Sequence, residues 1–311
     1  MIFSPNLYFI SKQDIPATLM IDTTTEFLFT NHGKCCKKMD VRTTRGNIFE
    51  LSIQYEDEQT RNEIIDLFCA AYTVVAAYNY YDIFELLPTA GVPKFSACQG
   101  DDTAYLACLL VQKCYKNQSY KNALCKYHVA HETYALHPMD LDPIYEPINT
   151  NMVLTENIRI AYVVIVCYSI LEELGLQIIT KRLECGQNES SVTADGKAWN
   201  SEVLGRLKNA LVSNGIDPDT NIMWLSRNGL PRPFKHKVVD TSNPCKWNDG
   251  AALKDFNIKI TDAILELSHM RSHLASHGVG DRVLKLTVYD AENAFHLARM
   301  LLLNFFNIKI Y

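Results

Sequence analysis

The chain has 311 residues, enough for two ordinary domains or one large one, and 48% of them are hydrophobic, which favours buried cores over disorder. Its 30 basic and 35 acidic side chains leave a net charge of -5, which argues against coating nucleic acid by overall charge and leaves only a local basic patch for that purpose. No N-terminal stretch joins a basic start, an apolar core and a small-residue cleavage site, so a cytoplasmic chain is expected, with most of its 10 cysteines reduced and buried.

In chain order, the first 55 residues alternate short β-rich pieces with turn residues. NLYFI, ATLMI, EFLFT and NIFELSIQY read as strands. From Glu56 to about Leu87 the spacing becomes helical, with Ile64, Ile65, Phe68, Ala71, Tyr72, Val75 and Tyr78 on the apolar positions. Asp101 or Asp102 is placed to cap a further helix through AYLACLLVQKCY, and another follows through His131. Pro138, Pro143 and Pro147 then rule out a regular helix, and the domain boundary is placed there, the alternative being an ordered loop inside one larger domain. The expected division is an α+β domain over 1–148 and a helical domain over 149–311.

The longest apolar run, Ala161 to Leu171, is too short to span a bilayer, which needs about 20 residues, and reads as a buried helix closed by Gly175. A second helix covers SEVLGRLKNALVSNG, with Asn200 or Ser201 at its start and Gly215 at its end. A third runs through FNIKITDAILELSHMRSHLASHG, with Ile260, Ile264, Leu267, Met270 and Leu274 on one stripe. A fourth starts at a Thr-x-x-Asp capping box in TVYD and continues through AENAFHLARMLLLNFF. The class is therefore mainly α.

The pointed chemistry is in RSHLASHG, Arg271 to Gly278. His273 and His277 are four apart and share a helical face, which suits a divided general base and general acid near neutral pH. Arg271 adds a forked, permanent cation for phosphate oxygens. On an ideal helix Arg271 and His277 are separated by about 9 Å of rise and about 120° of rotation, so their convergence requires the helix to loosen before Gly278. Cations in a last helical turn also stabilise the helix dipole without any catalysis.

Arg271-x5-His277, at the end of an amphipathic helix and before a final helix, resembles the R-x(4-6)-H motif of the HEPN superfamily. The resemblance covers roughly Asn151 to Tyr311 and implies a HEPN-like helical bundle. It further implies a metal-independent endoribonuclease of toxin-antitoxin or antiviral defence systems that needs no cofactor. In it Arg271 would stabilise phosphate, His277 would act as acid or base, and His273 would support them. The cleft would form between two copies in a homodimer, with an antitoxin or defence protein as a further partner. Active members usually carry Asn, Asp or His directly after the arginine; here that position is Ser272, with His273 next. The pattern is thus also compatible with a non-catalytic RNA-binding or dimerisation module.

Arg227, Arg232, Lys235 and Lys237, in RNGLPRPFKHK, form an acid-free basic stretch suited either to an RNA backbone or to water. His128, His131 and His137, with Glu132, give H-x2-H-x5-H, which does not match the i, i+4 zinc spacing; no metal site and no membrane association is expected.

Overall fold

A computed structural model describes residues 6–10, 24–31, 34–43, 48–54, 58–76, 100–135, 154–184, 188–194, 198–227, 245–246, 252–275 and 286–308. Helices dominate the described residues. The chain divides into two compact units, Met1–Glu132 with Ile308–Tyr311, and Thr133–Asn307. The three-proline stretch lies outside the described residues.

In the first unit, β1 (Asn6–Ile10), β2 (Thr24–Asn31), β3 (Lys34–Thr43) and β4 (Ile48–Gln54) form an antiparallel sheet of order β1-β4-β3-β2. NLYFI, EFLFT and most of NIFELSIQY are strands as the alternation predicts, whereas ATLMI lies outside the described residues. β3 was hidden by its Lys-rich composition; its pairing with β2 across a two-residue connection defines it. The register shifts between Phe29 and Thr30, where Phe29 faces Lys37 and Thr30 faces Cys35, so Cys36 is the extra residue of a bulge.

Helices α1 (Glu58–Ala76), α2 (Gly100–Cys114) and α3 (Gln118–Ala135) follow. Ile64, Phe68, Ala71, Tyr72 and Val75 of α1 are buried, as the helical spacing requires. α3 begins where the Asn117 carboxamide accepts the N–H groups of Ser119 and Tyr120, which occupies two of the donors a helix start leaves unpaired.

The second unit holds all four expected helices: α4 (Leu154–Glu173), α5 (Ser201–Ser213), α6 (Ile260–Met270) and α7 (Val288–Phe305). Four of their ends follow from local chemistry. α4 stops at Gly175, whose φ of +69° suits a residue without Cβ, and Leu176 N–H returns to Leu171 O. Asn200 caps α5 by accepting from Glu202 and Val203, and Gly215, with φ of +72°, follows its end. Thr287 and Asp290 make the capping box of α7, with Thr287 N–H donating to Asp290 Oδ2 at 2.7 Å. Asn157, buried on α4, donates to Leu286 O at 3.1 Å and fixes where that last helix begins.

This unit also contains a sheet that the helical reading did not foresee. β5 (Asn221–Arg227), β6 (Cys245–Lys246) and β7 (Ala252–Lys259) pair antiparallel in the order β5-β7-β6. Phe256 to Lys259, expected as the start of the third helix, is strand. The reason is a period of two: Asn257 and Lys259 are exposed, whereas Ile258 is buried. Beyond Lys259 the stripe Ile260, Ile264, Leu267, Met270 and Leu274 is buried as predicted.

β5 is an edge strand, and its outer side is closed by a side chain. Leu225 N–H donates to Asn293 Oδ1 at 2.9 Å, and Asn293 Nδ2 donates to Leu225 O at 2.6 Å. One carboxamide on α7 thereby replaces the missing neighbouring strand.

Candidate functional site

The segment Arg271–Ala275 that follows α6 is π-helical. Its wider i→i+5 hydrogen bonding is rare and is frequent at functional sites. The loosening thus begins at Arg271 itself, while His277 lies outside the described residues. Leu274 and Ala275 are buried and anchor the segment; Arg271 and Ser272 are half-buried, and His273 is exposed.

The segment packs against the C-terminal half of α4. There the Arg271 guanidinium carbon lies 5.2 Å from the centre of the Tyr168 ring, a cation–π arrangement. Its Nη2 donates to Glu172 Oε1 at 3.4 Å, with both side chains about two-fifths exposed. Tyr168 and Glu172 are four apart, so one face of α4 presents ring and carboxylate together. His273 stands beside His269 on α6: the two rings are 4.6 Å apart and tilted by 41°.

Of the residues the sequence singled out, Arg271 and His273 thus lie on one short segment, joined by His269, Tyr168 and Glu172. The helical spacing of His269 and His273 was legible in SHMRSH. Glu172 stands 99 residues before Arg271, and nothing local pairs them. Arg227 ends β5, and Arg232, Lys235 and Lys237 lie outside the described residues.

His128 and His131 are in the first unit and diverge. The Thr73 hydroxyl donates to Cys69 O at 2.9 Å, so its contact with His128 Nδ1, also 2.9 Å, takes the ring N–H as donor. His128 Nε2 faces Glu132 at 3.3 Å. His131 is buried against Tyr127, with ring centres 4.6 Å apart. His137 lies outside the described residues. Among the described residues no group of three His, Cys, Asp or Glu side chains is arranged to hold a metal ion. Burial pushes the Cys69 thiol up to about 12, with Asp66 and Glu132 adding to the effect, and burial also raises Cys114 and Cys167.

Among the described residues no helix is long and apolar enough to cross a membrane. Comparison with protein-family models, curated proteins and solved structures gave no match.

Proposed function

We propose that this chain is a metal-independent endoribonuclease of HEPN type, acting in the cytoplasm as a homodimer within a toxin-antitoxin or antiviral defence system. The 2′-hydroxyl of the substrate RNA, deprotonated by a histidine, attacks the adjacent phosphorus. The P–O bond to the 5′-oxygen breaks, that oxygen takes a proton, and the products are a 2′,3′-cyclic phosphate and a 5′-hydroxyl. Arg271 meets the charge that grows on the phosphate oxygens. His277 is the acid or base, and His273 supports it.

The observation that supports this reading most is the position of Arg271. It heads a π-helical segment, lies over the Tyr168 ring, and is reached by an accessible carboxylate rather than sealed in the core. The basic stretch of Arg227, Arg232, Lys235 and Lys237 is assigned to the RNA backbone, and no cofactor is required. The N-terminal unit is the candidate surface for an antitoxin or other defence partner.

A second reading has its own support. Because the cationic edge of Arg271 meets Glu172, the domain also fits a non-catalytic RNA-binding or dimerisation module.

The two readings separate when purified protein is incubated with RNA in excess chelator, wild type beside Arg271→Ala and His277→Ala. Cleavage that persists in chelator and disappears in both variants supports the nuclease. Intact RNA of every class, with a stable dimer throughout, supports the silent module and overturns the nuclease reading. Activity that chelator abolishes overturns the metal-independent mechanism.

A further inference from the structure

We propose that Glu172 gates Arg271: in the resting protein its carboxylate occupies the guanidinium edge that an RNA phosphate takes on binding, so RNA enters by displacing one anion with another. The inference rests on the reading that Arg271 binds phosphate.

Three features of the pair carry it. The contact is a single one, Nη2 to Oε1, and at 3.4 Å it is longer than the 2.7–2.9 Å typical of a close charge-assisted bond. Both side chains are substantially exposed, so solvent and salt weaken the attraction and the carboxylate can leave into water rather than into an apolar core. The Tyr168 ring, its centre 5.2 Å from the guanidinium carbon, gives Arg271 a second attraction that does not depend on Glu172. When Glu172 withdraws, Arg271 therefore stays beside Tyr168, and the Nη2 donor that Glu172 held is released to the next anion. A phosphate suits that edge better than a lone carboxylate oxygen, because it offers several acceptor oxygens to the planar fork.

The arrangement has two consequences for RNA binding. Glu172 lowers the affinity of the resting site for any polyanion. It also cancels one of the cations that would otherwise release counterions on binding, so its removal steepens the dependence of affinity on salt. For a single strand the logarithmic slope steepens by about 0.7 for each phosphate newly neutralised.

The test uses the full chain and a labelled 2′-O-methyl single-stranded RNA, which cannot be cleaved by 2′-hydroxyl attack, titrated at several salt concentrations in excess chelator. Four proteins are compared: wild type, Glu172→Gln, Arg271→Ala and the double variant. Glu172→Gln is expected to bind roughly two- to fivefold tighter, with the steeper slope. The gain is expected to vanish in the Arg271→Ala background, because there is no guanidinium left to release. Equal affinity of Glu172→Gln and wild type, while Arg271→Ala binds more weakly, would overturn the gate and leave the phosphate-binding reading standing. Weaker binding by Glu172→Gln would make Glu172 a positioning residue and also overturn the gate. A gain that persists without Arg271 would reduce Glu172 to a general charge effect. Unchanged affinity in Arg271→Ala would instead refute the underlying reading that Arg271 meets RNA.

Discussion

Replacing Asn293 with alanine removes the group that closes the outer side of β5. Leu225 then keeps an N–H and a C=O that point away from β7, because both were directed at the same carboxamide. Asn293 is only 3% exposed, so water does not reach its place freely. Each backbone group left unpaired at a buried position costs about 1–3 kcal/mol, and partial access at Leu225 places the pair of them at about 2–4 kcal/mol. Urea denaturation followed by Trp224, buried one residue away, should show an earlier midpoint with an unchanged slope. Hydrogen exchange should report the Leu225 amide losing protection by more than its neighbours on the β7 side of the sheet. Asn293→Asp should be no milder, since its second oxygen would face the Leu225 carbonyl where an amide N–H stood. A loss below about 1 kcal/mol, with the Leu225 amide still protected, would refute the clasp and show that another group covers this edge.

Two further outcomes follow from shifted titrations. Glu189 is held below the usual carboxylate range first by the Lys181 backbone N–H, against the opposing effect of burial, with the Arg206 hydrogen bond and the charges of Arg206 and Lys181 adding to the lowering. A depressed carboxylate contributes stability above its unfolded pKa and loses it as pH falls through the folded value, so Glu189→Gln should melt lower than wild type at neutral pH and match it in acid. A deficit of the same size at both pH values would contradict the assignment. Cys69, raised to about 12, leaves a thiolate fraction of about 10⁻⁴ at pH 8, so iodoacetamide followed by mass spectrometry should find it labelled far more slowly than in urea-unfolded protein. Equal rates would mean that the thiol is not buried as described.

Much of the helical architecture was legible because the signals are local. Gly175, Asn200, Gly215 and the Thr287–Asp290 box each act within a few residues, and the stripe from Ile260 to Leu274 repeats every three or four. FNIKI shows where local reading ends. At Phe256 it begins the last four residues of β7 and runs into α6, because β5 pairs alongside and Ile258 enters the core. At Phe306 the same letters start just past α7, where Phe306 caps the helix and Asn307 takes a left-handed φ of +50°. The neighbours decide, not the pentapeptide.

The candidate site divides in the same way. Arg271 and His273 stand out because their residue types suit phosphate binding and proton transfer, and the π-helical turn begins at Arg271. The role of α4 was not legible: Tyr168 and Glu172 look like ordinary members of an apolar helix and its polar end until the fold brings Arg271 against them. Likewise Asn293 reads as one polar residue within a buried helix, and only the edge of β5 explains it.

The ends of the RNA products test the proposed cleavage chemistry most directly. RNA digested in excess chelator should carry 2′,3′-cyclic phosphates and 5′-hydroxyls when resolved by mass spectrometry, and Arg271→Ala should give neither. Products ending in 3′-hydroxyl and 5′-phosphate, or cleavage undiminished in Arg271→Ala, would contradict the account.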